Sequence, residues 1–195
     1  LLSNVFFFIL DTQFADSLFA HFALWPITPK SVFLPAQMVH EFELWQLFSY
    51  AFLHGSYLHL FLNMYALWLF GASLENLWGS RNFTVYYFVC VLGAAVTQLL
   101  VQDLAGEYTP TIGASGGVFG VLLAFGLFFP NQILILLIPP IPIKAKWFVV
   151  LYGVIELLFG VTGTAEGVAH FAHLGGMLFG LLMIVYWMYR PPTGR

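Results

Sequence analysis

Six apolar segments, separated by turn-forming residues, occupy most of the chain. They cover residues 1–20, 57–77, 83–101, 115–129, 147–160 and 169–189. A helix needs roughly 20 apolar residues to cross a bilayer, and glycine and proline mark the connections between the segments. The pattern therefore predicts an all-α membrane protein, a bundle of six transmembrane helices that forms one domain over residues 1–195.

The composition places this protein in a lipid bilayer. Hydrophobic residues make up 61% of the chain and charged residues 8%, whereas soluble domains carry about a quarter charged residues. The net charge of -3, without any basic run, argues against a nucleic-acid partner. The single Cys90 excludes an internal disulfide and a cysteine-based metal cluster. We expect no metal and no organic cofactor.

The basic residues predict the orientation of the chain in the membrane. One side of the predicted bundle collects Arg81, Lys144, Lys146, Arg190 and Arg195. The other side receives only Lys30. Because short cytoplasmic loops are rich in Lys and Arg, both termini are expected in the cytoplasm. The chain begins at Leu1, inside an apolar segment and without Met, so we expect the natural N-terminus to lie further upstream.

Several polar residues lie at one depth, near the outer ends of the second, fourth and sixth helices. They are His54, His59, Asn63, Ser115 and His173. Polar groups are costly inside a bilayer and usually face a bundle interior or a water-filled cavity. His59 and Asn63 are four residues apart and share one helix face, while His54 falls in the preceding loop and is assigned a structural role. Their convergence predicts a functional site.

Two Gly-x-x-x-Gly motifs predict how the fourth and sixth helices meet. They consist of Gly116 with Gly120 and of Gly176 with Gly180. Such motifs let helix backbones approach closely in lipid. Because the motifs begin beside Ser115 and His173, these two residues are expected within hydrogen-bond distance, as a nucleophile and its base require. His170, one turn earlier, is expected nearer the outer water.

Small residues surround Ser115 in the run Gly113-Ala114-Ser115-Gly116-Gly117. They leave the hydroxyl accessible, and a helix N-terminus offers unpaired N–H groups to a developing oxyanion. A lone membrane serine is usually a packing residue. Here the flanking glycines and the distant histidine favour a nucleophile.

Three sequence motifs resemble the signatures of rhomboid intramembrane serine proteases of bacterial type, in the family's order. They are His54-x4-His59-x3-Asn63, Gly113-Ala114-Ser115-Gly116 and Ala172-His173-x2-Gly176-x3-Gly180. The likeness extends from about Trp45 to the end of the sixth helix. It implies a six-helix core, a serine–histidine dyad without an acid, and cleavage of transmembrane or membrane-anchored proteins near the outer membrane face. A bacterial inner (cell) membrane is the expected location.

The resemblance also implies a role for each matching residue. Ser115 would be the nucleophile and His173 the general base. His59, Asn63 and the Ser115 backbone N–H would hold the oxyanion, with Gly113 beside the bound substrate. His54, Phe119, Gly116 and Gly176 would support the site, with Phe119 stacked on the His173 ring.

Other interpretations of the same residues remain open. His54, His59, His170 and His173 would also suit a haem-binding membrane cytochrome, and a catalytically inactive rhomboid-like binding protein is a second alternative. Glu156 lies in the fifth segment, where an acid is expected to pair with a polar group or to be protonated. The sequence assigns it no mechanism. The substrate, the oligomeric state and the gate, for which the fifth helix and residues 161–168 are candidates, are not determined by it.

Overall fold

Six long helices, one short helix and a short hairpin are the main elements in the part of the chain that the computed structural model describes. That part comprises residues 1–27, 40–136, 140–164 and 167–192, without the side chains of 13–16. The helices are α1 (Leu2–Phe22), α2 (Gln46–Ser49), α3 (Tyr57–Trp78), α4 (Ser80–Ala105), α5 (Ser115–Phe128), α6 (Ala145–Thr162) and α7 (His170–Tyr189). A 3-10 turn, Tyr50–Phe52, follows the short α2.

The long helices coincide with the six predicted segments. Four of them are long and apolar enough to cross a membrane, namely α3, α4, α6 and α7. Two apolar stretches are shorter, Leu2–Thr12 within α1 and the whole of α5. A helical membrane protein is therefore confirmed, whereas the crossings of α1 and α5 stay predictions.

Local sequence signals set the helix ends. Ser56 caps α3, where its side chain accepts a 3.1 Å hydrogen bond from the His59 backbone N–H. Gly79 separates α3 from α4 with a φ of +79°, a conformation that glycine adopts without steric cost. Beyond α7, Pro191 and Pro192 cannot continue the helix.

The connection between α5 and α6, which the sequence marks only by its prolines, contains a short hairpin. Strands β1 (Ile133–Ile135) and β2 (Pro142–Lys144) pair antiparallel, with Ile133 opposite Lys144. Pro142 opens its strand, a position where a missing N–H is tolerated. The cluster of turn-forming prolines runs from position 139 to position 142, and its first residue lies outside the described residues.

The tightest packing in the bundle joins α4, α5 and α7. Small residues allow it: Gly93 of α4 faces Phe179, Gly116 of α5 faces Ala94, and Gly175 of α7 faces Thr97. Added β-carbons at these glycines would overlap the neighbouring helix. Without a hydrophobic driving force between helices in lipid, such close van der Waals contact supplies the association.

Candidate active site

Ser115 and His173 face each other across the α5–α7 contact. Ser115 is the first residue of α5 and is half-buried, while His173 lies in the first turn of α7 and is buried. The distance between Ser115 Oγ and His173 Nε2 is 2.7 Å. This is a hydrogen bond of ordinary length, and it matches the arrangement of a nucleophile and its general base.

The glycine motifs create this proximity. A β-carbon at Gly176 would overlap the carbonyl oxygen of Gly116, and one at Gly120 would come 2.9 Å from the Gly176 carbonyl oxygen. The two backbones therefore touch directly one residue after Ser115 and three after His173. The predicted contact between these helices is confirmed.

Phe119 packs against the imidazole ring of His173. Its ring stacks on the His173 ring with centroids 4.2 Å apart and an interplanar angle of 3°. Phe119 lies one turn after Ser115, so a single turn of α5 presents both the nucleophile and the aromatic ring to His173. This stacking agrees with the sequence prediction.

Glu156 of α6 completes the hydrogen-bond chain, a contact that the sequence did not indicate. Its Oε2 lies 2.9 Å from His173 Nδ1 and 2.7 Å from His170 Nδ1. The resemblance implied a dyad without an acid, whereas this structure brings a carboxyl group within hydrogen-bond distance of His173. Both histidines are 7% exposed and share this carboxylate, and the expectation that His170 lies nearer the outer water stays a prediction.

The same three residues are the described group best placed to hold a metal ion. One ligand atom from each of Glu156, His170 and His173 lies within 4.8 Å of the others. Two imidazoles and a carboxylate are ligands that zinc accepts. The sequence prediction had assigned no metal ligands.

Gly113 makes room for His59. A β-carbon on Gly113 would lie 2.8 Å from two His59 ring atoms, and its φ of +117° also requires glycine. Its N–H donates to the Tyr50 carbonyl oxygen at 2.9 Å, so this group is not available to an oxyanion. The predicted place of Gly113 beside a bound substrate stays a prediction.

Asn63 and His59 lie together on one face of α3. The Asn63 amide donates one hydrogen bond of 2.9 Å to the His59 carbonyl oxygen and keeps a second N–H. Asn63 is buried, whereas His59 is half-buried. Both line the cavity that contains Ser115 and His173.

His54 packs against the ring of His59. It is 1% exposed and its ring meets the His59 ring edge-on, with centroids 5.0 Å apart. Burial, followed by the charge of His59, lowers the pKa of His54 to about 4. His54 is therefore neutral at pH 7, which fits the structural role assigned from sequence.

A cavity of about 1580 Å³ opens in front of Ser115 and His173. Its polar end contains Ser115, His173, His59 and Asn63. Its walls are largely apolar and include residues of α3 and α6, namely Leu62, Tyr65, Leu69, Phe148, Leu151 and Tyr152. Apolar walls with a few polar groups at one end are typical of ligand-binding cavities.

Comparison with known families shows which protein family the chain belongs to. The family model described as Rhomboid domain matches residues 41–190. The chain belongs to the rhomboid family. The matched range begins close to Trp45, where the resemblance was predicted to start.

Relatives of this rhomboid protein come from several eukaryotes. It is 35% identical to Rhomboid protein 1, mitochondrial, of Saccharomyces cerevisiae over 68% of the chain and 38% of that protein. It is 32% identical to RHOMBOID-like protein 5 of Arabidopsis thaliana over 87% of the chain and 52% of that protein. Presenilin-associated rhomboid-like protein, mitochondrial, of Bos taurus is 30% identical over 72% of the chain and 39% of that protein.

These matches bear on length and location. The alignments span between 38% and 52% of the relatives' length. Two relatives carry mitochondrial names, which lends no support to the expected bacterial inner membrane. The family and the four spanning helices establish an integral membrane protein.

Proposed function

We propose that this rhomboid protein is a serine endopeptidase that cleaves transmembrane or membrane-anchored proteins. The observation that carries the proposal is the 2.7 Å contact between Ser115 Oγ and His173 Nε2 at the polar end of a cavity. A packing serine would bond its own helix backbone. Ser115 instead opens a helix and meets a histidine 58 residues away.

The reaction begins with attack on the scissile peptide. His173 Nε2 takes the Ser115 hydroxyl proton as Oγ forms a bond to the carbonyl carbon. The Ser115 N–H, which has no intrahelical partner at a helix N-terminus, and the side chains of Asn63 and His59 would stabilise the oxyanion. Gly113 contributes space for His59 but no N–H.

Collapse of the tetrahedral intermediate releases the first product. His173 gives its Nε2 proton to the departing amide nitrogen as the C–N bond breaks, which leaves an ester on Ser115. Water, deprotonated by His173, then attacks the ester and regenerates the hydroxyl. The residues need no cofactor for these steps.

The apolar walls favour a substrate that arrives from the bilayer. Side chains of α3 and α6 line the cavity on both sides, and we assign the substrate passage to the space between them. The predicted gate at the fifth segment corresponds to α6, while residues 165 and 166 of the predicted loop are outside the described residues. Fourteen residues of α5 span about 21 Å, which would recess Ser115 within a hydrocarbon core of about 30 Å.

The proposal retains two expectations about placement. The distribution of basic residues favours both termini in the cytoplasm. A bacterial cell membrane remains the expected host, with water reaching Ser115 from the outer face. Neither a haem-binding role nor an inactive binding role is favoured, because Ser115 and His173 are both present and each His173 ring nitrogen has a partner.

Fluorophosphonate labelling of the detergent-purified protein tests the function. We expect the wild type to be labelled at Ser115 and to cut a transmembrane reporter, and Ser115→Ala and His173→Ala to lose both activities. Ser73→Ala is the matched control, because Ser73 lines the same cavity and has no role in the mechanism. Full cleavage by either catalytic variant, or a haem absorption band in the wild type, would contradict the proposal.

A further inference from the structure

Three side chains form a continuous hydrogen-bond chain from the nucleophile to a buried acid. Ser115 Oγ lies 2.7 Å from His173 Nε2, and His173 Nδ1 lies 2.9 Å from Glu156 Oε2. They come from three different helices, α5, α7 and α6. The connectivity of hydroxyl, imidazole and carboxylate is that of a hydrolase triad.

The protons on His173 determine what Glu156 does. To accept the Ser115 proton, Nε2 must carry a lone pair, so the hydrogen of the neutral ring must be on Nδ1. A buried N–H without an acceptor is costly. Glu156 Oε2 supplies that acceptor and thereby selects the tautomer in which His173 can act as a base.

His170 has a separate hydrogen-bond pattern that holds the acid in place. Its Nε2 lies 3.0 Å from the Thr164 carbonyl oxygen, which can only accept, so the hydrogen is on Nε2. Its Nδ1 lies 2.7 Å from Glu156 Oε2, so another proton must lie between these two atoms. Whether that proton is on His170 or on Glu156, Oε2 can still accept from His173.

This arrangement also explains how an acid is tolerated in an apolar helix. Glu156 is 7% exposed, and an isolated buried carboxylate is strongly unfavourable. A proton shared with His170 leaves the Glu156–His170 pair without net charge. Two hydrogen bonds then compensate for the removal of the carboxyl group from water.

We propose that Glu156 is the positioning acid of a Ser115–His173–Glu156 triad and that His170 holds it in register. The inference rests on the proposed protease function. Glu156 acts through His173 and does not contact the substrate. An alternative occupant of the Glu156–His170–His173 cluster is a divalent metal ion, which would take the Nδ1 lone pairs and displace the shared protons.

Replacement of Glu156 by glutamine tests the triad. Glutamine preserves volume, but its amide NH2 can turn towards Nδ1 and favour the wrong tautomer. Loss of the acid costs about 10⁴-fold in soluble triads. We expect kcat to fall by about 10²-fold to 10⁴-fold with KM changed less than about threefold, and fluorophosphonate labelling to slow in parallel. His170→Ala should lose less, because the His173–Glu156 contact remains.

Several readouts separate positioning from a merely structural role. Nitrogen-15 NMR of histidine-labelled protein should show the proton of His173 on Nδ1 in the wild type and on Nε2 in Glu156→Gln. Glu156→Asp should recover part of kcat. Glu107→Gln is the matched control, since Glu107 lines the cavity, is exposed and makes no contact with the dyad.

The outcomes are distinguishable from failure of the protease assignment. An unlabelled wild-type Ser115 would reject the proposed function itself. Normal labelling and kcat in a folded Glu156→Gln, with an unchanged His173 tautomer, would reject the triad alone. One equivalent of bound zinc in the wild type, lost in Glu156→Gln, with activity raised by a chelator, would identify a metal site and overturn the triad.

Discussion

The two sides of the cavity beside Ser115 and His173 are built in opposite ways. On one side α5 and α7 meet backbone to backbone through Gly116 and Gly176. Behind them, 44% of the 18-residue apolar stretch of α4 is buried. On the other side, only 17% of the corresponding stretch of α6 is buried. The close contact fixes the distance between nucleophile and base, whereas the open side leaves space for substrate. Glu156 is on the open side, so any displacement of α6 alters its bond to His173.

The largest expected effect comes from a methyl group at the close contact. Gly176→Ala places a β-carbon on the Gly116 carbonyl oxygen, and neither backbone can yield without separating α5 from α7. We expect a large loss of thermal stability and loss of proteolysis. Melting in detergent and cleavage of a transmembrane reporter provide the measurements.

The open side supplies the matched control. Gly153 of α6 faces the end of the flexible Met177 side chain, and a β-carbon there would lie 3.4 Å from its terminal carbon. Gly153→Ala is therefore expected to melt and to cleave as the wild type does. Equal behaviour of the two alanine variants would show that the two sides do not differ in packing as described.

The packed side could be predicted from sequence because its signals are local. Glycines at a spacing of four mark the helix contact, and Phe119, one turn after Ser115, was expected on the His173 ring. Family resemblance assigned Ser115 and His173 their roles before any distance was known.

The open side could not be predicted in the same way. A helix as apolar as α6 has no polar face that would reveal its rotation, so the direction of Glu156 depends on tertiary packing. The bond from the Gly113 N–H to the Tyr50 carbonyl oxygen could not be predicted either, because Tyr50 lies 63 positions earlier in the chain. The hairpin of β1 and β2 was missed because its prolines indicate a loop in isolation.

A smaller loss of activity is expected from a substitution in α3, where it lines the cavity. Asn63→Ala removes an oxyanion donor, so kcat should fall by about 10²-fold to 10³-fold while KM changes little. Steady-state kinetics on the reporter measure both values. Gln132→Ala is the control, because Gln132 lines the same cavity beyond the opposite end of α5. An unchanged kcat in Asn63→Ala would exclude Asn63 as a donor.

The smallest expected effect is a change in the pH dependence of stability, and it distinguishes His54 from His170 and His173. His54 is buried under His59, and its pKa is lowered to about 4 from the 6.5 of an exposed histidine. A histidine whose folded pKa is depressed stabilises the fold fully above pH 6.5, and that contribution is lost as the pH falls towards 4. Between pH 7 and pH 5 the expected loss of unfolding free energy is about 2 kcal/mol.

Unfolding free energies of the wild type and of His54→Gln, measured in mixed micelles at both pH values, give the His54 contribution as a difference. Because His170 and His173 are present in both proteins, their titration cancels in that difference. Parallel pH dependence in the two proteins would mean that His54 is not held neutral by burial, and that the α3 wall is more open to water than its packing indicates.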